Sequence, residues 1–361
     1  MRVALSLLTL VPGCSGGSET YVRALARALG QVGVHEYAAL VPPVAPDAAE
    51  GLPTTVASSF RTGASELGRL GALARAMARP GALRATLEQA EVVHYPLTVP
   101  VPPVRRPTVL NVLDVQHLDH PELFPHSIRL FRRLAYDRAA RRATRVITIS
   151  AWSGERVVER LGLERDRVHV VPLAVDHTRF SPDPSVAREP FLLYPARPWP
   201  HKNHALLFEA FARLRARRPE LRLVLTGAGH DPVGLPPGVE SAGSVSEEAL
   251  VSLYRRAAAV VFPSLYEGFG LPTLEAMACG CPVASSDAGA LPETCGGAAR
   301  LFDPRSRDAL VEAVEEVLDE PVGWHERGLR RAAELTWEAV ARAHDRVYEA
   351  AAADGYPSAR R

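Results

Sequence analysis

At 361 residues the chain is long enough for two domains of ordinary size, and 47% apolar with 23% charged residues is the composition of a soluble globular protein. A net charge of +1 gives no global argument for nucleic acid or for an acidic partner. No run of about 18 apolar residues is present to span a bilayer, which leaves peripheral contact with a membrane open.

The opening stretch, Met1 to Val11, is apolar but short and runs directly into a glycine-rich segment, Gly13 to Gly17. It reads as a first buried strand, Val3 to Leu8, rather than a signal peptide. Glu19 to Leu29 follows as a helix with Val22, Leu25, Ala26 and Leu29 at helical spacing. Strand, glycine loop and helix are half of a βαβ unit. Tyr37 to Val41 is a second strand, and a Pro-rich loop runs to Pro53. Helices are expected at Leu67 to Met77 and Gly81 to Gln89, and strands at Val92 to Tyr95 and Thr108 to Leu113. A loop, Asp114-Val-Gln-His117, comes next. Ile128 to Ala143 reads as one helix with a solvated arginine face, Arg145 to Ile149 as a strand, and Ser150 as the cap of a helix reaching Leu161. A strand at Val168 to Val171 completes the half.

Composition shifts at Phe180 to Pro190, a Pro- and Ser-rich stretch that reads as a linker. The boundary is placed there, giving units 1–185 and 186–337, with a final helix at about 338–361 expected to pack back on the first. The strand-helix rhythm restarts with a strand at Phe191 to Tyr194, a helix at His204 to Arg217 and a strand at Leu221 to Thr226. A helix at Glu247 to Arg256, a strand at Ala257 to Phe262 and a helix at Thr273 to Cys279 continue it. Pro282 to Ser285 (strand), Leu291 to Cys295 (helix), Leu301 to Asp303 (strand) and Arg307 to Leu318 (helix) follow, and the remainder is helical. Two such alternations imply two doubly wound parallel sheets with ligands at the strands' carboxyl ends. The cleft between two such domains is the default active site.

Phe262 to Val283 carries the strongest chemistry. Gly268 and Gly270 flank Phe269, Pro272 punctuates the start of a helix, and Gly280 ends it. A glycine turn feeding a helix N-terminus offers free N–H groups and a positive dipole end to an anion such as phosphate. Glu267 and Glu275 lie eight residues apart, one on the loop and one on the helix. Two surface acids explain them without function; hydroxyl binding is favoured, since a carboxylate accepts two bonds from a vicinal diol. Arg197 and Lys202, the chain's only lysine, follow the first strand of the second half and suit a diphosphate. Gly16 and Gly17 could admit a phosphate or an acceptor to the backbone, although a tight packing turn explains them as well. Gly13 to Gly17 also matches G-x-S-x-G around Ser15, but no upstream segment supplies the second oxyanion donor a hydrolase needs. Cys14, Cys279, Cys281 and Cys295 fit neither a zinc nor a disulfide pattern, so reduced thiols in a cytoplasmic enzyme are expected.

Taken in order, these residues resemble the retaining glycosyltransferases of family 4, group 1, which have the GT-B fold. The set is Arg197…Lys202, then Val224-Leu-Thr-Gly227-Ala-Gly229, then Gly243-Ser-Val245. The E-x7-E element from Pro263 to Ala278 completes it. Looser agreement covers Gly16 to Glu19, Val146 to Ser150, Val171 to Asp176 and Thr336-Trp337-Glu338. The resemblance implies that Arg197 and Lys202 bind the donor diphosphate and that Glu267 holds the transferred sugar. It also implies that Gly268, Phe269, Gly270 and Leu271 contact sugar and phosphate, with Thr273 at the phosphate end and Glu275 on the ribose. Gly227, Ser244 and Val245 would meet the donor too, the last two beside the base, and Gly16 and Gly17 would line the phosphate and acceptor side. Relatives often carry a His-Asp pair where this chain has Leu113-Asp114. His117 is therefore assigned the sugar-contacting role, with Asp114 as its competitor.

The expectation is a metal-independent, retaining transferase without a cofactor. It would move a hexose-type sugar, mannosyl-like, from a UDP-, GDP- or dTDP-linked donor to a hydroxyl of a glycan, lipid-linked saccharide or small molecule. The donor would lie mainly on the second half and the acceptor on the first, with closure about a hinge near residue 185. No nucleic-acid partner is expected, and localisation is cytoplasmic or peripheral at the inner membrane face. The rivals are a phosphorylase or epimerase on the same fold, a non-catalytic nucleotide-sugar-binding subunit, and a hydrolase using Ser15.

Overall fold

Among the described residues every strand pairing in the computed structural model is parallel, and the central strands Arg2–Ser6, Val92–Tyr95, Glu189–Pro195 and Ala257–Phe262 are mostly buried, as sheets covered on both faces require. The structure describes residues 1–13, 17–60 and 66–355. Two units form: Met1–Pro172 together with Trp337–Arg361, and Leu173–Thr336.

In the first unit the order is β1 (Arg2–Ser6), α1 (Gly17–Val32), β2 (Glu36–Val41), β3 (Thr54–Val56), α2 (Glu66–Ala78), α3 (Gly81–Leu87), β4 (Val92–Tyr95) and β5 (Thr108–Asn111). Then come α4 (Gln116–Asp119), α5 (His126–Arg132), a π-helical turn (Arg133–Asp137), α6 (Arg138–Arg142), β6 (Arg145–Thr148), α7 (Ala151–Leu161) and β7 (Val168–Val170). Its seven-stranded sheet runs β3-β2-β1-β4-β5-β6-β7. Ser150 caps α7 as expected, its hydroxyl accepting the Ser153 N–H at 3.0 Å, and Gly162 at φ 64° closes the other end.

The second unit holds β8 (Glu189–Pro195), α8 (His204–Arg217), β9 (Arg222–Thr226), β10 (Val239–Ser241), α9 (Glu247–Arg256), β11 (Ala257–Phe262) and α10 (Leu271–Ala278). After these come β12 (Val283–Ser286), α11 (Leu291–Cys295), β13 (Arg300–Phe302), α12 (Arg307–Asp319) and α13 (Pro321–Ala333). Its six strands run β10-β9-β8-β11-β12-β13 around a core that includes Leu192, Tyr194, Phe211, Val261 and Phe262. The chain then returns to the first unit as α14 (Trp337–Asp354).

Several expected elements change. β3 and β10 were not foreseen: both are three-residue strands at sheet edges, and β3 is exposed throughout, so no apolar run announces them. β5 stops at Asn111, two residues before Leu113, and the loop holding His117 contains the one-turn helix α4. The single helix expected over Ile128 to Ala143 is α5 and α6 joined through the π turn. The chain joins the second unit at Leu173, ahead of the compositional linker. Phe180 packs on Tyr254 with ring centres 6.2 Å apart, and Arg255 Nε donates to Ser181 O at 2.8 Å. The Pro- and Ser-rich stretch is thus fastened to α9 instead of spanning free.

α14 is held on the first sheet by a buried polar chain. Tyr348 O–H donates to His94 Nδ1 (2.9 Å), His94 Nε2–H to Asn111 Oδ1 (2.7 Å) and Asn111 Nδ2 to the Tyr21 hydroxyl (2.6 Å). Tyr21 O–H then donates to His344 Nε2 (2.9 Å) and His344 Nδ1–H to Val340 O (2.8 Å). One donor direction satisfies every member, which fixes both imidazoles as neutral tautomers. Asp345, next along, accepts the Tyr37 hydroxyl and the Val34 N–H. Among the described residues no helix is long and apolar enough to cross a membrane.

Candidate functional site

In the second sheet the strand order reverses between β8 and β11, so their carboxyl-terminal loops diverge and leave a crevice there. The β8 loop is folded tightly on itself. Trp199 N donates to Arg197 O and Lys202 N to Trp199 O, each at 2.8 Å, and the buried Tyr194 hydroxyl donates to Lys202 O at 2.7 Å. Leu265 N donates to His201 O at 2.7 Å, stitching this loop to the one after β11. Asn203 sits in left-handed backbone (φ 59°), and its Nδ2 donates to Pro263 O (3.1 Å) and Pro304 O (2.8 Å). With both loops fastened, Lys202 Nζ meets Glu267 Oε1 at 2.5 Å, and each of these side chains keeps 13% of its exposure. The ammonium also lies 5.2 Å from the centre of the Phe262 ring.

Arg197 begins the same loop but remains exposed, its guanidinium 5.7 Å from the centre of the Trp199 ring. Its backbone abuts Gly227 at the end of β9, where φ is 119° and an added Cβ would lie 3.1 Å from Arg197 N. Gly227 N donates to Gly243 O at 2.8 Å, which sets Ser244, exposed, and Val245, half-buried, beside that strand end.

The loop from Gly268 to Leu271 is clamped from below. Ala290 N donates to Glu267 O (3.0 Å), the Thr294 hydroxyl to Phe269 O (2.6 Å), and the Thr273 hydroxyl to Gly270 O (2.8 Å). Gly270 lies at φ 92° against Leu291, so the turn into α10 demands glycine. Gly289 makes the same demand from the opposite loop, because a Cβ there would come within 2.5 Å of Glu267 O. The positive dipole end of α10 lies at this turn, where Pro272 carries no N–H and the Thr273 N–H donates to Gly270 O at 3.0 Å. Glu275, on the following turn, accepts the Tyr254 hydroxyl at 3.0 Å. Burial pushes its carboxyl up to about 7, Tyr254 opposes that rise, and the Glu247 charge adds to it.

In the first unit the strand order reverses between β1 and β4. Gly17 is the first residue of α1, with open space where a side chain would stand. Gly16 and Ser15 lie outside the described residues. Asp114 accepts the Gln116 N–H at 3.0 Å in the turn that starts α4. His117 is buried on α4, with Nε2 2.9 Å from Asp137 Oδ1 on the π turn.

The structure therefore joins Lys202 to Glu267 and packs the Gly268 loop against them. Arg197 stands on the Gly227 side of the same loop, and Glu275 lies one helical turn along α10. Asn203, Tyr254, Gly289 and Asp137 were not foreseen. Tyr254 occupies an apolar position of α9 and reads as core, and Asp137 lies in an arginine-rich stretch that reads as solvated. Asn203 carried one usable signal, since Asn is among the few residues that tolerate left-handed backbone.

A family model described as glycosyl transferases group 1 matches residues 178–334, and one described as Glycosyltransferase Family 4 matches residues 15–179. MMP alpha-(1->4)-mannosyltransferase of Mycolicibacterium hassiacum is 36% identical over 231 residues, 60% of this chain and 56% of that protein. O-antigen chain mannosyltransferase B of Escherichia coli is 30% identical over 253 residues, 62% of this chain and 65% of that protein. The chain thus matches between half and two thirds of these relatives' length. Among solved structures, sucrose-phosphate synthase from Thermosynechococcus elongatus superposes with a TM-score of 0.76 at 21% identity, covering 97% of this chain and 98% of that one. Anabaena Alr3699/HepE in complex with UDP and glucose gives 0.70 at 19%, with the same coverage.

Proposed function

The chain is a glycosyltransferase of group 1, family 4, with the GT-B fold, and from that premise we propose that it transfers a hexose from a nucleotide-diphosphate sugar to a hydroxyl acceptor with retention of configuration and without a metal. The observation that carries this reading is the Lys202–Glu267 pair at the strand-order reversal of the second unit, 2.5 Å apart beside the N-terminus of α10. A cation and a carboxylate side by side match the two ends of a sugar diphosphate. The ammonium faces developing phosphate charge, and the carboxylate accepts from sugar hydroxyls.

Arg197, exposed on the same loop, is free to close a second cationic contact on the diphosphate, and the positive end of the α10 dipole favours the same charge. Glu275 holds the ribose diol, and the Gly243 loop, with Ser244 and Val245, takes the base. As the bond from the anomeric carbon to the diphosphate breaks, the acceptor oxygen forms its own bond on the same face through an oxocarbenium-like state. The hydroxyl proton passes to a departing phosphate oxygen. In this scheme the protein supplies charge already in place around the leaving group and no covalent intermediate. In the first unit Asp114 and His117 offer polar contacts to a sugar. The mannosyltransferase names of the two relatives favour a mannosyl donor among UDP-, GDP- and dTDP-sugars.

The test has two steps. A thermal-shift screen of UDP-, GDP-, dTDP- and ADP-sugars identifies the donor, because a ligand that binds only the folded state raises its stability. Transfer is then measured in Lys202→Ala and Glu267→Ala with that donor. Losing one preorganised charge at the leaving group lowers kcat about 10²- to 10³-fold. Full activity in both variants removes the pair from the mechanism.

A further inference from the structure

Beside His117 the first unit carries more positive charge than the transfer reading uses. α4 and the segment after it face α5 across a cavity of about 300 Å³ lined by His117, Pro121, His126, Arg129, Leu130 and Arg133. His126, Arg129 and Arg133 recur at three- and four-residue spacing and so share one helical face. Among the described residues neither Arg129 nor Arg133 pairs with a carboxylate, whereas the neighbouring Arg132 is taken up over the Phe124 and Tyr136 rings. In the cavity wall His117 is 3% exposed, and its Nδ1 is buried without a hydrogen-bond partner. Asp137, closing the π turn, accepts the Nε2–H, and in the neutral ring this tautomer puts the lone pair on Nδ1. A buried nitrogen of this kind calls for a partner atom, and two uncompensated guanidiniums call for an oxyanion.

We propose that this cavity receives the acceptor, and that the acceptor is a hydroxylated oxyanion. One hydroxyl donates to His117 Nδ1 while a phosphate or carboxylate of the same molecule is held by Arg129 and Arg133. The assignment rests on the transfer reading only in calling the ligand an acceptor; binding itself stands apart from it. Two sources supply this chemistry: a soluble sugar phosphate, or a phospholipid headgroup with a free hydroxyl. Exposed Ile128, Leu130 and Leu134 on the same helical stretch put the second within reach.

The experiment follows the His117 ring nitrogens by NMR while glucose 6-phosphate, inorganic phosphate or glucose is added, in the native chain and in Arg129→Gln/Arg133→Gln. A parallel arm sediments phosphatidylcholine vesicles with and without phosphatidylglycerol. Glucose 6-phosphate is expected to move the Nδ1 resonance, phosphate to bind with a smaller shift, and glucose to do neither. The double variant should lose affinity at least tenfold, with partial recovery in Arg129→Lys/Arg133→Lys. Sedimentation only with phosphatidylglycerol, lost in the double variant, supports the proposal with a lipid source; shifts with the soluble phosphates alone support it with a soluble one. The proposal falls if neither probe engages the native chain, or if the double variant binds as the native chain does. Donor binding in the second unit, read separately by thermal shift, is expected to be unchanged in these variants. Its failure in the native chain would count against the donor assignment and not against this cavity.

Discussion

Glu275 shows how one residue's surroundings decide its working range. Its carboxyl is pushed up to about 7 by burial, and the Tyr254 hydroxyl is the interaction that holds it down. Only the ionised form accepts both hydroxyls of a diol, so donor affinity should weaken as pH falls through 7. Tyr254→Phe removes the donor that favours the charge, so the midpoint of that decline should move to higher pH. Donor dissociation constants measured from pH 6 to 9 check it. A midpoint that stays put, or moves down, separates Glu275 from donor binding. In the sequence the resemblance carried by the E-x7-E element marked Glu275 as a candidate for the ribose. Its titration range was not legible there, because that depends on Tyr254, whose place on α9 looks like an ordinary packing position.

At the scale of elements, the segment between β8 and α8 is where local strain and function meet. Asn203 adopts φ 59° and ties its amide to Pro263 O and Pro304 O, so it anchors the turn that presents Lys202. Asn203→Ala loses two hydrogen bonds and strains the backbone, at a cost of about 2–4 kcal/mol; Asn203→Gly loses the bonds alone and should cost about 1–2 kcal/mol less than that. Urea denaturation of both variants measures the split, and donor affinity should fall in both as Lys202 loosens. An unchanged donor affinity in Asn203→Ala would mean that the turn holds its shape without the anchor. The elements that sequence reading placed best are those with a strong local signal. α8, α9 and α11 have the bounds expected from apolar periodicity and flanking punctuation, and α7 has its serine cap. The edge strands β3 and β10, the one-turn α4 and the π turn are set by tertiary pairing and leave no comparable pattern. The candidate site divides the same way. Lys202, Glu267 and the Gly268 loop were legible because glycine turns and charged groups at strand ends are rare combinations. Asp137 and Gly289 act only through partners distant in sequence.

At the scale of the whole molecule, the two units should answer acid differently. In the first, His94 and His344 are sealed in the polar chain under α14; burial holds them neutral down to about 3 and about 4, and His169 is also depressed by burial. Each histidine takes up a proton in the unfolded chain below about 6.5 but not in the fold. Stability is therefore lost as pH falls below that value, on the order of 2 kcal/mol at pH 5 for each fully buried ring. In the second unit His204, depressed to about 4 by burial and by His230, has the same sign. Glu275 has the opposite one: protonated in the fold below about 7 and in the unfolded chain only near 4.5, it adds stability across the same window. Acidification from pH 7 to 5 should thus loosen the first unit while leaving the second nearly level. Hydrogen exchange by mass spectrometry, corrected for the intrinsic pH dependence of exchange, resolves the two. Protection should fall first in β4, β5, α1 and α14, the elements that carry the buried chain, while β8 and β11 hold. His94→Gln, which cannot be protonated, should flatten part of the first unit's decline while lowering its stability at pH 7. Equal loss of protection in both units, or a His94→Gln profile as steep as the native one, would show that the buried histidines do not set the acid limit.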